Sequence, residues 1–117
     1  MNICIIFEHA PHGSSHGREG LDFLLAMASF YEDIGVVFTG DGVYQLLKDQ
    51  MPVSVLSRNH SKTFRLMDLY GLDKIFVTEN DLAERGLAPS DLIVNARVVS
   101  SEMIRNIISE SSRKVVF

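Results

Sequence analysis

The chain has 117 residues, of which 46% are hydrophobic and 22% are charged. This length and composition are typical of one globular domain, expected here over residues 1–117, and they exclude a disordered or fibrous chain. Eleven basic and fifteen acidic side chains give a net charge of -4, so there is no excess of positive charge to neutralise the phosphates of RNA or DNA. We therefore expect no direct binding of nucleic acid.

The first part of the chain alternates strand and helix signals. Ile3 to Phe7 is a continuous apolar run, which is typical of a parallel strand buried on both faces. A helical pattern from about Arg18 to Tyr31 follows, and Val36 to Thr39 reads as the second strand. Gly40-Asp41-Gly42 then indicates a tight turn, and Val43 to Lys48 a short helix. The order so far is strand, helix, strand, helix.

The rest of the chain continues this alternation, and its helices are bounded by capping residues or glycines. First come a loop over Asp49 to Arg58, a helix over Ser61 to Tyr70 stopped by Gly71, and a strand over Lys74 to Val77. Next come a helix capped at Thr78 and closed by Gly86, and a strand over Leu92 to Asn95. The last elements are a helix capped by Ser100 or Ser101, with Met103, Ile104, Ile107 and Ile108 on one face, and a strand over Val115 to Phe117. Strands separated by helices predict a parallel sheet between helical layers, which is a three-layer α/β/α domain.

The loop after the first strand has the composition of a binding site, and it follows the carboxyl end of a strand, where ligands of open α/β folds bind. His9, His12 and His16 stand three and four residues apart, which is a conceivable set of metal ligands. Histidines in such loops are more often solvated or packed, so we assign no metal site. An anion at the start of the next helix, near Gly13 and Arg18, is more plausible than a metal. The other interpretation of this loop is a plain structural turn.

The second candidate loop is Gly40-Asp41-Gly42, which follows a strand and opens a helix as a dinucleotide-binding fingerprint does. The third glycine position of that fingerprint is occupied by Gln45, so the fingerprint fails. A tight turn in which Asp41 caps the following helix explains these residues without a ligand.

No complete catalytic set is recognisable in the sequence. Cys4 is the only cysteine, and the middle of a buried strand offers a thiol neither solvent nor positive charge, so it is expected to be an unreactive core residue. We therefore assign no catalytic residue and disfavour an enzyme acting alone.

The first helix carries more apolar residues than one sheet needs. At 100° per residue, the side chains of Phe23, Met27 and Phe30 lie well outside the stripe that Leu21 and Leu25 define, and a helix covering a sheet needs a stripe only a little wider than about 100°. Either a neighbouring helix buries this second side, or it is a protein interface, for which phenylalanine and methionine are typical. Phe23, Met27 and Phe30 are our interface candidates.

The compartment is predicted from what the sequence lacks. No apolar run approaches the roughly 20 residues that span a membrane, and Met1 and Asn2 lead into the first strand without a basic leader, so we expect neither a membrane segment nor a secretion signal. A single cysteine cannot form an internal disulfide, which fits a reducing compartment. The expected location is the cytoplasm.

Several short motifs together resemble one protein family. They are Ala10-Pro11-His12-Gly13 followed by Gly17-Arg18-Glu19-Gly20-Leu21-Asp22 and Leu24-Leu25-Ala26, then Asp41-Gly42-Val43 with Gln45-Leu46-Leu47, Thr63-Phe64, Leu69-Tyr70, and Glu84-Arg85-Gly86-Leu87. This pattern, which extends along nearly the whole chain, is similar to the DsrF/TusC family, whose members are subunits of the TusBCD sulfur-relay complex.

The resemblance implies a DsrE-like fold with a five-stranded parallel sheet, and a dimer of heterotrimers with TusB-like and TusD-like partners. That complex relays persulfide sulfur toward 2-thiolation of the wobble uridine of certain tRNAs, so the link to tRNA is indirect, and no cofactor is expected. In the related D subunit the sulfur-carrying cysteine follows the third strand. The matching stretch here is Val77-Thr78-Glu79, without a cysteine, so this chain is expected to be a non-catalytic subunit.

Two other hypotheses remain open on the sequence alone. One is a stand-alone domain that binds a small ligand, an anion or a nucleotide, through the loop from His9 to Arg18 and the turn at Asp41. The other is a metal enzyme that uses the three histidines of that loop.

Overall fold

A computed structural model describes residues 2–10, 15–47 and 71–117. Within these ranges the protein contains one sheet of five strands, all parallel. The strands β1 to β5 are Ile3–Phe7, Ile34–Phe38, Ile75–Thr78, Arg97–Val99 and Arg113–Val116. The helices α1 to α3 are His16–Met27, Glu79–Glu84 and Ser101–Glu110, and two short 3-10 helices span Gly40–Leu46 and Pro89–Asp91. The expected α/β fold with a five-stranded parallel sheet is confirmed.

The strand order across the sheet is β4-β3-β2-β1-β5. Strands β1 to β4 step across the sheet in one direction, whereas β5 returns to the far side of β1. Because connections between parallel strands are almost always right-handed, the helices that follow β1 and β3 lie on one face of the sheet, and α3, between β4 and β5, lies on the other. We call these two sides the α1 face and the α3 face.

The alternation of side chains along each strand divides the core between the two faces. In β1, the side chains of Ile3, Ile5 and Phe7 enter the core of the α1 face, whereas those of Cys4 and Ile6 enter the core of the α3 face. This is why the strand reads as a continuous apolar run: a parallel strand covered on both sides has no solvent-facing positions.

Several elements have boundaries that differ from the prediction. Strands β2, β3 and β5 are Ile34–Phe38, Ile75–Thr78 and Arg113–Val116, where Val36 to Thr39, Lys74 to Val77 and Val115 to Phe117 are predicted. Helix α1 ends at Met27, not at Tyr31, and the backbone N–H groups of Phe30 and Tyr31 both donate to the carbonyl oxygen of Met27. The apolar pattern therefore continues as a turn after the helix has stopped. The predicted tight turn and short helix after β2 form a single 3-10 helix, Gly40–Leu46.

The predicted fourth strand, Leu92 to Asn95, is wrong. Leu92 and Val94 are buried in the core of the α1 face, and Leu92 makes only an isolated antiparallel bridge with Leu47. The fourth strand is instead Arg97–Val99, which pairs with β3 at the edge of the sheet. Leu92 and Val94 are apolar because they are buried, not because they belong to a strand. The actual edge strand has only three residues, one of them an exposed arginine, so its sequence has little strand character.

The capping predictions in the last third of the chain are confirmed. Thr78 caps α2 and Ser100 caps α3, because their side-chain oxygens accept hydrogen bonds from the backbone N–H groups of Asp81 and Met103. Gly86 closes α2 with a φ of 65°, a left-handed conformation that favours glycine. Met103 itself is wrongly placed on the buried side of α3, since it is exposed.

The predicted loop over Asp49 to Arg58 and the predicted helix over Ser61 to Tyr70 lie outside the described residues. In the parts of the chain that are described, none of the helices has the length and apolar character that crossing a membrane requires.

Candidate functional site

The first residues after β1 are contacted by a buried glutamine. Gln45, in the 3-10 helix after β2, is fully buried, and its Nε2 donates a hydrogen bond to the backbone oxygen of His9 at 3.0 Å. The same side chain packs against Gly17 in the first turn of α1, where an added Cβ would lie 2.3 Å from Nε2. Gln45 therefore joins the loop after β1, the start of α1 and the 3-10 helix.

Two of the three loop histidines contact each other. The rings of His9 and His16 stack with centroids 4.0 Å apart, and within the described structure Nδ1 of His9 is buried without a hydrogen-bond partner. No group of three or more histidine, cysteine or carboxylate side chains among the described residues is arranged to hold a metal ion. His12 and Gly13, the remaining candidates of this loop, lie outside the described residues.

A close approach of two backbones fixes the turn after β2. A Cβ added to Gly42 would lie 2.0 Å from the carbonyl oxygen of Phe7, so only glycine fits where the 3-10 helix crosses the end of β1. The glycine of this turn is therefore explained by packing against β1.

Asp41 binds an arginine. The Arg85 guanidinium, at the end of α2, donates to Oδ1 of Asp41 from Nε at 3.2 Å and from Nη2 at 3.0 Å. Arg85 also donates to the backbone oxygen of Asp81 and lies 5.9 Å from the centre of the Tyr44 ring. The predicted role of Asp41 as a helix cap is wrong, because Thr39 is the N-cap of the 3-10 helix and the Asp41 carboxylate instead ties the end of β2 to α2.

The start of α1, where an anion was considered, already carries a carboxylate. Ser15 donates a hydrogen bond to Oε1 of Glu19 at 2.7 Å, and this negative charge lies in the first turn, where it interacts favourably with the positive end of the helix dipole. Arg18 is exposed on the same turn.

The stretch Val77-Thr78-Glu79 at the end of β3 matches, by the resemblance, the region that holds a cysteine in the related D subunit. Its threonine has a hydroxyl that is engaged twice. Thr78 Oγ1 donates to Oδ2 of Asp81 at 2.7 Å and accepts from the Asp81 backbone N–H at 3.1 Å. The only thiol of the chain, that of Cys4, is fully buried in β1. Burial raises the pKa of the Cys4 thiol, which disfavours the reactive thiolate. Neither residue is presented as a nucleophile.

The outer side of α1 is less open than its helical pattern predicts. Phe23 and Met27 are partly buried against the core of the α1 face, and the Phe23 ring lies 5.7 Å from the ring of Phe117, the last residue. Phe23 and Met27 therefore have partners within the domain, and the partner of Phe23 is Phe117 and not a neighbouring helix. The assignment of both residues to an interface stays a prediction. Phe30 is different, because 78% of its surface is exposed.

Sequence reasoning missed the structural roles of Gln45, Tyr44 and Arg85. For Gln45 the sequence offered one signal, which is a polar residue at the third glycine position of the failed fingerprint. A polar side chain at that position can form a hydrogen bond with a neighbouring loop. The contact of Asp41 with Arg85 joins residues 44 positions apart, and nothing in the local sequence reports it.

The described residues thus build an ion-paired, closely packed end of the sheet, without an accessible thiol or a recognisable nucleophile and base among them. This is a parallel α/β domain, and the comparisons with known proteins identify its family. The family model described as "DsrE/DsrF-like family" matches residues 1–117. The chain belongs to the DsrE/DsrF-like family.

Two relatives that match most of this chain carry the name TusC. The chain is 44% identical to the Protein TusC homolog of Vibrio parahaemolyticus over 115 residues, which is 98% of each chain. It is also 44% identical to the Protein TusC of Klebsiella pneumoniae strain 342 over 104 residues, covering 88% of this chain and 87% of the relative.

A solved structure supports the fold. The E. coli YchN protein superposes with a TM-score of 0.83 at 17% identity, covering 100% of this chain and 99% of that one. At this identity the likeness concerns the fold, and it agrees with the DsrE-like architecture described above.

Proposed function

We propose that this chain is a non-catalytic subunit of a heteromeric sulfur-relay complex, which passes persulfide sulfur toward 2-thiolation of the tRNA wobble uridine. Its partners are TusB-like and TusD-like subunits in a dimer of heterotrimers, and the complex acts in the cytoplasm. The relatives named TusC, similar over nearly the whole chain, support the relay role.

The observation that carries the non-catalytic part of the proposal is the burial of Cys4. A sulfur carrier needs a thiolate that a donor and an acceptor can both reach, whereas Cys4 is enclosed in the core of the α3 face together with Ile6, Val37, Phe76 and Ile104. A persulfide on Cys4 would also have to fit one further sulfur atom into a closely packed interior. The sulfur is therefore carried by a partner subunit, and this chain supports the assembly.

The exposed end of α1 is the proposed contact with one partner. Phe30 supplies a large apolar side chain at the surface, and Met27 and Phe23 lie on the preceding turns, partly buried. The loop with His12, Gly13, Arg18 and Asp41 is assigned to the neighbourhood of a partner or anion site.

The test is a Cys4→Ala variant co-expressed with the products of the neighbouring genes. In the wild-type chain, we expect iodoacetamide to label Cys4 only after unfolding. We also expect the variant complex to support 2-thiouridine in tRNA, measured by mass spectrometry of nucleosides, to within about twofold of the wild type, since no sulfur passes through Cys4. Deletion of the whole chain should abolish the modification.

A matched control is Val37→Ala, a truncation in the same core cluster. It reports what a loss of packing alone does to the assembly. If Cys4→Ala abolished 2-thiouridine in a complex of normal native mass while Val37→Ala did not, Cys4 would be a sulfur carrier and the proposal would be wrong.

A further inference from the structure

We propose that the α3 face of the sheet is a second docking surface, which binds an acidic protein surface with an apolar centre. The inference rests on the proposed function, since it assigns to one of the partner subunits a face that is separate from the end of α1.

Among the described residues this face is thinly covered. The helices that follow β1 and β3 lie on the α1 face, and the connection between β4 and β5 lies on the other side. Among the described residues, α3 is the only helix there, and it has 10 residues for a sheet of five strands. In α3, the side chain of Ile104 is buried in the core of this face, whereas those of Ile107 and Ile108 are only partly buried against it.

Two large apolar side chains remain exposed on this side. Met103, in the first turn of α3, is 49% exposed, and Val116, in β5, is 51% exposed. The register pairs Val116 with Ile6, whose side chain lies in the core under α3, so Val116 points to the same face. In the described part of the chain, Phe30 is the only other large hydrophobic residue with such exposure.

The last segment of the chain, which contains α3 and both edge strands, carries more positive than negative charge. Residues 97–117 carry four basic and two acidic side chains, whereas the described residues before them carry three basic and eleven acidic ones. Arg97 and Lys114 are exposed in the two edge strands, at positions that share the α3 face. The Arg97 guanidinium lies 5.7 Å from the centre of the Phe76 ring, which belongs to the core under α3.

This combination selects the class of partner. Positive charges beside an apolar centre are complementary to a protein surface with carboxylates around apolar side chains. A nucleic-acid partner would require a continuous basic surface on a chain whose net charge is -4. The exposed Arg113 and Lys114 in β5 are the kind of charged edge residues that oppose strand pairing, so the partner covers the face instead of extending the sheet.

The experiment measures assembly of the full-length chain with its co-expressed partner subunits. The variants are Val116→Asp, which places a charge in the apolar centre, and Lys114→Glu, which reverses a flanking charge. Circular dichroism first checks that each variant is folded. We expect both to weaken assembly at least tenfold, measured by native mass spectrometry of a dilution series, and we expect wild-type assembly to weaken as salt is raised from 50 to 500 mM.

The matched control is Ala83→Asp, which adds the same charge at an exposed position of α2, away from the α3 face. It should assemble like the wild type. Wild-type affinity in both Val116→Asp and Lys114→Glu would overturn the assignment of the α3 face and leave the proposed function standing, whereas failure of the wild type to assemble with any partner would overturn both.

Two further outcomes would replace the occupant. If the chain alone formed oligomers that Val116→Asp dissociated, the face would bind a second copy. If tRNA were shifted in a gel and Lys114→Glu abolished the shift, the face would bind RNA. Either result would overturn the assignment to an acidic partner protein.

Discussion

The two faces of the sheet are covered very unequally. Among the described residues, sixteen buried apolar side chains form the core of the α1 face, and five form that of the α3 face. The same strands supply both cores, so the difference arises from what lies over them. Strand order and the handedness of connections put α1 and α2 on one side and leave α3 as the one described α-helix on the other. Among the described residues, the topology itself therefore leaves the α3 face more open.

The exposed apolar residues follow this division. Met103 and Val116 lie on the more thinly covered face, whereas Phe30 lies in the turn that follows the end of α1 at Met27. Phe23, still within the helix, packs against Phe117. The two surfaces thus have different origins, one in sheet topology and one in a helix end.

The largest expected effect compares two neighbouring isoleucines in β1. Ile5 lies in the core of the α1 face and Ile6 in that of the α3 face. We expect Ile5→Ala to lower the free energy of unfolding of the isolated chain by about 4 kcal/mol and Ile6→Ala by about 2 kcal/mol, because the site under the thinner layer has fewer surrounding atoms and can collapse more easily. Urea unfolding measures both.

The same pair sharpens the docking proposal. In the assembled complex the α3 face is covered, so the cost of Ile6→Ala should rise toward that of Ile5→Ala. Equal costs in the isolated chain would contradict the unequal coverage of the two faces.

The next effect compares two helix caps. Thr78 caps α2 on the α1 face, is buried, and makes a second hydrogen bond to the Asp81 carboxylate, whereas Ser100 caps α3 with one exposed hydrogen bond. We expect Thr78→Ala to cost about 2 kcal/mol and Ser100→Ala about 1 kcal/mol, measured by thermal and urea unfolding. Thr78→Ser keeps the hydroxyl and should recover most of the loss; a loss as large as that of the alanine variant would assign the effect to the methyl group.

The smallest effect serves as a reference outside both faces. Asp33 and Lys74 form an ion pair at the amino ends of β2 and β3, and the hydrogen bond from Lys74 lowers the pKa of the Asp33 carboxyl. A lowered pKa in the folded state means that the pair stabilises the protein above the ordinary aspartate pKa of about 4 and stops doing so as the pH falls below it.

We therefore expect wild type and Asp33→Asn to differ slightly in stability at pH 7 and to converge as the pH falls toward about 2. The measurement is urea unfolding across this range, in low salt, because salt screens exposed pairs. A difference that grew in acid would contradict the assigned direction of the pKa.

Much of the fold was readable because apolar runs mark buried strands. The limits of β1 were predicted to the residue, and Thr78, Gly86 and Ser100 were recognised as helix ends because capping depends on neighbouring residues. The fourth strand was misplaced because Leu92 and Val94 are buried outside the sheet, and burial alone does not distinguish a strand from a packed connection.

The candidate site was readable only in part. The composition after β1 pointed to an organised loop, but its organisation depends on Gln45, which comes from a different connection. The apolar width of α1 suggested an interface, but the ring of Phe117 covers Phe23 from the other end of the chain. Such contacts join distant residues, so no local pattern contains them.

The sequence by itself determined the alternation of strands and helices, the family, and the presence of a single thiol in an apolar strand, because each depends on local composition or on matched residues. The tertiary structure decided which of the described apolar residues stay exposed, that Asp41 binds Arg85, and that α3 alone among the described helices lies over its face of the sheet. The physical reason is that exposure and ion pairing depend on the order of strands in the sheet, and that order is set by packing of the whole chain.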